Sequence, residues 1–178
     1  CGTGTVLLSA AATTSNTSYA WYSAATGGTA LSTSSSYTTP SLSTTTSYYV
    51  ESKSTLNGCV STRSMATATI NAVPAAPVTT SASSCVSGGS VTLGATTTQT
   101  NKRIDWYTAS TGGSTFYSGT GYTIASLTST TTYYTSSTDM TTGCPSSTRT
   151  SVTATLSSNP AAPSSITGTV STDRKSTR

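Results

Sequence analysis

Hydrophobic residues in this chain occur in short runs that alternate with serine and threonine, and glycine or proline separates the runs. Alternation over about 4–8 residues is typical of a β-strand with one buried face. The pattern predicts strands over 5–11, 47–52 and 66–70, and again over 90–96, 103–108, 132–137 and 152–156. Shorter strands are predicted near Leu31, Tyr37, Phe116 and Tyr122.

The whole pattern occurs twice. Val6 returns as Val91, 85 positions later, and beyond the second cysteine of each copy the offset grows by one. A repeat of this length is a complete domain and not a solenoid unit. The other matched pairs include Leu8 and Leu93, Trp21 and Trp106, Tyr48 and Tyr133, and Cys59 and Cys144.

Short segments with a proline at each end mark the boundaries between domains, since proline does not fit inside a β-sheet. We expect domain 1 over 1–73, without a first strand of its own, and domain 2 over 78–159. The linker between them is 74–77. Residues 160–178 would hold a second linker, followed by the first strand of a further repeat or an exchanged strand.

Short strands joined by Gly, Ser and Thr turns favour an all-β protein made of two tandem immunoglobulin-like antiparallel β-sandwiches. Trp21 and Trp106 fit the buried tryptophan of strand C in that fold. Tyr48 and Tyr133 are candidates for a tyrosine corner, in which the hydroxyl bonds to backbone just upstream of strand F. Each domain would have a thin core, because alanine takes several inward positions.

Alternation on the strand at 103–108 places Ile104 and Trp106 inward and Asp105 outward. The same reasoning places paired tyrosines on the outer face of neighbouring strands. Such a pair could be a stacking platform for sugar rings or a cross-strand contact that stabilises the sheet. The pairs are Tyr22 with Tyr49 and Tyr107 with Tyr134.

The four cysteines, an even number, predict one disulfide in each domain. Because Cys1 matches Cys85 in the repeat, the expected pairs are Cys1–Cys59 and Cys85–Cys144, each near one end of its sandwich. A bridge closing about 60 residues would stabilise its domain by about 4 kcal/mol, so Cys59→Ser should be more harmful than any surface change. Disulfides also imply an oxidising compartment.

The residue inventory argues against catalysis. The chain has no histidine and four acidic residues, Glu51, Asp105, Asp139 and Asp173, with no matched carboxylate pair. No metal site or cofactor is expected. The basic residues are scattered except for Arg174, Lys175 and Arg178, so nucleic-acid binding is not expected. No apolar run is long enough to span a membrane.

Four motifs stand out in combination: Asp105-Trp106-Tyr107, Thr111-Gly112-Gly113, Thr131-Thr132-Tyr133-Tyr134 and Gly143-Cys144, with counterparts in domain 1. Together they resemble the Ig-like domains that recur in very large extracellular proteins of Bacteroidetes, many exported by the type IX system. The resemblance implies a surface adhesin, stalk or spacer, extracellular or at the cell surface, and carries over no catalytic residues. We expect a structural spacer; the alternatives are a head-to-tail filament by strand exchange and a carbohydrate-binding module. Neighbouring repeats, copies of the chain or surface glycans would be the partners.

Overall fold

The computed structural model describes residues 1–12, 14–162, 164 and 168, and its regular elements are all β-strands. The prediction of an all-β chain is confirmed. Domain 1 contains β1 (Leu7–Ser9), β2 (Thr17–Tyr22), β3 (Ser36–Thr38), β4 (Thr46–Ser54) and β5 (Ser64–Ala68). Domain 2 contains β6 (Val78–Thr80), β7 (Ala82–Ser84), β8 (Gly89–Thr96), β9 (Lys102–Tyr107), β10 (Tyr117–Ser118), β11 (Gly121–Leu127), β12 (Thr131–Asp139) and β13 (Thr150–Leu156).

Each domain is built from two sheets. In domain 2, a five-stranded sheet in the order β10-β9-β12-β13-β7 accompanies a three-stranded sheet in the order β11-β8-β6. In domain 1 the sheets are β2-β4-β5 and β1-β3. Pairing is antiparallel except between β13 and β7. The smaller sheets of domain 1 reflect two differences. Domain 2 has a first strand, split into β6 on one sheet and β7 on the other, and the described part of domain 1 has no counterpart of it. Domain 2 also has the short edge strand β10, in whose place domain 1 has only an isolated bridge between Trp21 and Ser32.

A fully buried tryptophan anchors each core. The Trp21 indole donates to the Ser34 carbonyl at 2.9 Å, and the Trp106 indole donates to the Gly119 carbonyl at 2.8 Å. Burying the large ring while its N–H keeps an acceptor avoids the cost of an unpaired polar group. Eight buried residues form the core of domain 2, and four form that of domain 1: Leu8, Trp21, Tyr48 and Ala68.

The side chains of Tyr48 and Tyr133 point into aromatic clusters between the sheets. The ring centroids of Tyr48 and Tyr37 are 5.3 Å apart, and those of Tyr133 and Tyr122 are also 5.3 Å apart. Among the hydrogen bonds of the described residues, none joins the Tyr48 or Tyr133 hydroxyl to the backbone. The two rings contribute packing, and the tyrosine corner stays a prediction.

Part of the C-terminal segment lies outside the described residues. Pro163, residues 165–167 and residues 169–178 belong to this part. The expected second linker is therefore described only in part, over 160–162. The expected strand after it and the basic residues Arg174, Lys175 and Arg178 lie outside the description.

Candidate binding and cross-linking surfaces

The predicted tyrosine pairs are neighbours across strands. Tyr22 on β2 lies opposite Tyr49 on β4, and Tyr107 on β9 lies opposite Tyr134 on β12. All four side chains are half-buried. The strands therefore bring the residues of each platform together, as an outer-face pair would require.

An arginine covers one tyrosine of each pair. The guanidinium carbon of Arg63 lies 3.3 Å from the centre of the Tyr22 ring, and that of Arg149 lies 3.3 Å from the centre of the Tyr107 ring. A guanidinium stacked in this way makes a cation–π contact. The covered ring face is no longer free for a sugar, so the stacking surface left in each pair belongs mainly to Tyr49 and Tyr134.

The same arginines hold the Thr-Gly-Gly turn after the tryptophan strand. Arg63 donates to the carbonyls of Ala24 and Gly27, each at 2.7 Å. Arg149 donates in the same way to Ala109 and Gly112, at 2.8 and 2.7 Å. In each domain one guanidinium nitrogen donates both bonds while the planar guanidinium stacks on the tyrosine ring, and a lysine ammonium cannot make this stack.

Sequence reasoning treated these two arginines as scattered charges and missed their role. The signal was present, because Ser-Thr-Arg follows the second cysteine in both copies, ending at Arg63 and at Arg149. Their offset of 86 is the offset found for the rest of the repeat beyond that cysteine. A basic residue repeated in register, in a chain with so few charges, indicates a structural contact.

Each domain places one acidic side chain on this outer face. In domain 1 it is Glu51, which accepts from the Tyr22 hydroxyl at 2.7 Å and from Arg63 at 3.2 Å. The hydrogen bond from Tyr22 is the main cause of the lowered pKa of Glu51. The carboxylate supports the tyrosine–arginine stack and is not a free ligand group.

In domain 2 the acidic side chain is Asp105, which points outward as predicted but is not solvent-exposed. It is only 2% exposed, because Arg103, Ser118 and Thr138 close over it. Their donors lie 2.7, 2.6 and 2.7 Å from its oxygens. Burial alone would raise the pKa of Asp105, but these hydrogen bonds outweigh it and lower the pKa.

The cysteines are paired differently from the prediction. Cys1 is bonded to Cys144, with 5.8 Å between their Cα atoms, whereas Cys59 and Cys85 are exposed free thiols. The chain thus has one disulfide between its domains instead of one within each domain. The expectation that Cys59→Ser would remove a stabilising bridge falls with it, because Cys59 has no partner here.

The direction of the strands explains this correction. In domain 2, β8 starts beside the residue where β11 ends, and there Gly88 donates to the Leu127 carbonyl at 2.8 Å. The next strand, β12, also starts at this end of the sandwich. Cys144 is held at the other end of β12, where Asp139 donates to its carbonyl at 2.8 Å. Nine residues of strand span about 30 Å, whereas a disulfide requires Cα atoms about 4.4–6.8 Å apart. Cys85 and Cys144 therefore cannot meet within one domain.

The junction between the domains is closely packed around the disulfide. Pro74 and Pro77 of the linker are buried. Gly2, with φ of +77°, lies against Val73 so closely that a Cβ atom on it would come within 2.8 Å of the valine methyl group. The residue after Cys1 must therefore be small, and the linker passes directly beside the disulfide.

Neither metal nor membrane features are found in the described part of the chain. Over residues 1–12 and 14–162, no group of three or more potential metal ligands comes together. Within the same described residues, no helix is long and apolar enough to cross a membrane.

Comparison with known proteins identifies the two domains. The family model for the Ig-like domain described as CHU_C-associated matches residues 1–71 and again 74–157. No curated protein matches the chain. Among solved structures, Sidekick-1 immunoglobulin domains 1–4 align with 16% identity and a TM-score of 0.32. That alignment covers 85% of this chain and 46% of the Sidekick-1 chain, so this chain spans less than half of that structure. The family matches cover most of the sequence, and the chain belongs to the CHU_C-associated Ig-like domain family.

Proposed function

We propose that the chain is a non-catalytic structural spacer or stalk module of a bacterial extracellular repeat protein or adhesin. Tandem Ig-like domains are typical of surface and adhesion proteins. The observation that carries the proposal is the double connection between the domains, through the Pro74–Pro77 linker and through Cys1–Cys144. A module that holds two sites at a fixed distance needs a joint of this kind, whereas a flexible tether needs only a linker.

The proposed location is the cell surface or the extracellular space. The support is the disulfide, which persists in oxidising compartments, together with the membership in a family of Ig-like domains. Origin in a large protein of Bacteroidetes exported by the type IX system is part of the same proposal and rests on the resemblance of the motifs.

The spacer function predicts that both domains tumble as one body. Backbone amide NMR relaxation of the oxidised chain should give one rotational correlation time for both domains, that of a particle of 17.8 kDa. In the Cys1→Ser, Cys144→Ser variant the domains should become more independent. Separate, shorter correlation times in the oxidised wild-type chain would contradict a spacer that fixes distance.

A surface glycan is a second candidate partner, favoured by one feature of domain 2. A cavity of about 510 Å³ opens beside Tyr107 and Arg149 and is lined by the hydroxyls of Ser110, Thr111 and Ser136 among others. Hydroxyls next to an aromatic ring suit a sugar. Glycan-array binding that is lost in Tyr107→Ala and in Arg149→Ala would support this candidate. Absence of binding at millimolar sugar would contradict it and leave the spacer function as the proposal.

A further inference from the structure

The two free cysteines occupy the same repeat positions as the two bonded ones. Cys85 in domain 2 matches Cys1, and Cys59 in domain 1 matches Cys144. Cys59 is placed like Cys144, because its carbonyl accepts from Ser54 at the end of β4 as that of Cys144 accepts from Asp139 at the end of β12. Each domain thus carries a cysteine at both positions that form the interdomain disulfide. Domain 1 uses only its first cysteine and domain 2 only its second.

Domain 2 also has a surface on which the linker is held by hydrogen bonds, and we call this surface the linker seat. The Ser137 hydroxyl donates to the carbonyl of Ala75, and the Thr150 hydroxyl donates to that of Pro77 at 2.9 Å. One residue pair further on, the Thr79 hydroxyl donates to the carbonyl of Ser151 at 3.0 Å. The end of domain 2 that carries Cys144 is therefore covered by the segment that enters the domain.

In domain 1 none of the described residues covers the equivalent seat. Ser52 takes the place of Ser137, as their strand partners Tyr19 and Ile104 show, and Ser64 and Met65 take the places of Thr150 and Ser151. These residues line a cavity of about 490 Å³. A second cavity, of about 390 Å³, lies next to it and is lined by Cys59, Val60 and Ser61 among others. Met65 is 64% exposed and Val60 is 60% exposed, so the open end of domain 1 presents apolar side chains to solvent.

We propose that this end of domain 1 receives the end of another Ig-like unit of the same family, and that Cys59 forms a disulfide with the cysteine that this unit carries at the position of Cys85. Domain 2 presents the complementary end through its own Cys85. A row of such units would be joined at every junction by a disulfide equivalent to Cys1–Cys144. The inference rests on the proposed spacer function and deepens it by naming the partner of the module and the residues that join them.

The bond forms by thiol–disulfide exchange with a low-molecular-weight disulfide such as oxidised glutathione. The two thiols of Cys59 and Cys85 are oxidised to one disulfide, and one oxidised glutathione is reduced to two glutathione molecules, which take up both thiol protons. Both cysteines are exposed, so the exchange requires no unfolding. The Cys1–Cys144 bridge has no part in the exchange.

The test uses two variants of the chain, each with one of the two thiols. Cys59→Ser retains Cys85, and Cys85→Ser retains Cys59. In a glutathione buffer that keeps Cys1–Cys144 oxidised, each variant alone should stay monomeric on non-reducing gels, and an equal mixture should give a disulfide-linked heterodimer. Peptide mass mapping should find Cys59 joined to Cys85, at least tenfold above either symmetric pair.

A matched control separates docking from mere exposure of a thiol. Cys59→Ser with Cys85→Ser and Val60→Cys moves the domain 1 thiol by one position, to a residue that is also exposed. Mixed with Cys59→Ser, this variant should give at least tenfold less heterodimer than Cys85→Ser does. Equal yields, or symmetric Cys59–Cys59 and Cys85–Cys85 pairs at comparable yield, would overturn the proposal, because cross-linking would then reflect random collision.

The partner unit can be a second copy of the chain or the neighbouring repeat of one polypeptide, and a second arm distinguishes these sources. In this arm two copies are fused in one polypeptide. Residues 1–159 of the first copy are followed by a segment with the sequence of residues 74–84 and then by Cys1 of the second copy, so that the spacing before Cys1 is the same as the spacing before Cys85. Heterodimers from separate chains show that a second copy suffices. A Cys85–Cys59 bond found only in the joined chain shows that the partner must be an adjacent repeat. Absence of the bond in both arms would refute the inference while leaving the single-body tumbling of the two domains untouched.

Discussion

The two domains share one plan but differ in how completely it is filled. Domain 2 buries eight core residues and adds β6 and β7 to its sheets, whereas domain 1 buries four and has neither strand in its described part. The conserved positions are those that organise the fold: a buried tryptophan, an arginine on a tyrosine and an Asn with positive φ before the tryptophan strand, at Asn16 and Asn101. A few anchors therefore set the plan of both domains, and we expect domain 2 to be the more stable copy because it has the larger core and the larger sheets.

Domain 2 also has more ion pairs than domain 1 among the described residues. Domain 2 has Lys102 paired with Asp139 at 2.7 Å and Arg103 paired with Asp105 at 2.7 Å, whereas the described residues of domain 1 form one pair, Arg63 with Glu51. The hydrogen bond from Lys102 is the main cause of the lowered pKa of Asp139, and two backbone N–H groups of the turn that follows it lower the pKa further. Domain 2 therefore depends more on its carboxylates being ionised.

The largest expected effect comes from removing the tryptophan of each domain. Trp21→Ala and Trp106→Ala should each cost about 3–5 kcal/mol of unfolding free energy. With only four core residues, domain 1 should be largely unfolded at 25 °C after the change, while domain 2 should stay folded in buffer. Amide NMR spectra measure both outcomes, and the remaining tryptophan reports on the unchanged domain by fluorescence. Two domains equally tolerant of the loss would break the comparison.

The next effect comes from the interdomain disulfide. Cys1→Ser with Cys144→Ser should destabilise domain 1 by about 2–4 kcal/mol in urea unfolding, and domain 2 by less, because domain 2 has the larger core. Cys59→Ser is the matched control and should change stability by no more than about 0.5 kcal/mol, since the free thiol is exposed. A Cys59→Ser variant as unstable as the double variant would show that Cys59 is bonded in the folded chain.

A smaller effect distinguishes the domains by pH. Asp105→Asn should destabilise domain 2 by about 1.5–3 kcal/mol, because Arg103 loses its charged acceptor. Since the pKa of Asp105 is lowered in the folded state, its contribution is present above the unfolded pKa of about 4 and is lost as pH falls through the folded pKa. Urea midpoints of domain 2 measured from pH 5 down to pH 2 should fall less steeply in the variant. The same slope in both proteins would exclude Asp105 as the source.

The smallest effect concerns the stacked arginines. Arg149→Lys should cost about 1 kcal/mol, because lysine keeps the charge but not the stack or the fork to Ala109 and Gly112. Arg63→Lys should cost slightly more, since Arg63 also pairs with Glu51, and Arg149 has no carboxylate partner among the described residues. Urea unfolding of each domain measures both. A larger loss at Arg149 than at Arg63 would contradict this order.

The strands and their anchors could be predicted from the sequence because alternation and repetition report directly on buried faces. The regions around Trp106, Tyr48 and Val152 form strands where the pattern placed them. Cysteine pairing could not be predicted in the same way, because a repeat shows which positions match but not at which end of a strand they lie. Tracing β8 and β12 from end to end, with the partners of each strand known, separates Cys85 from Cys144.

The site was predictable only in its tyrosines. Strand alternation sends Tyr22 and Tyr107 outward, but the covering Arg63 and Arg149 come from segments more than 35 residues away in sequence, as their bonds to Ala24 and Ala109 show. Burial of Asp105 likewise depends on Ser118, which another strand supplies. Contacts between distant segments produce no periodic pattern in the sequence. Predicting them therefore requires either a structure or an alignment of the two repeats that shows which residues recur at matching positions.

Cys1–Cys144 closes a covalent ring, since the backbone between these residues, which are 143 positions apart, is joined to itself. The ring passes through domain 1, the linker and most of domain 2. A protease that cuts one peptide bond anywhere within the ring opens it but releases no fragment, because the disulfide still holds both pieces. In an environment rich in proteases, a single cut would leave the two halves attached, and only a second cut or reduction of the disulfide could separate them.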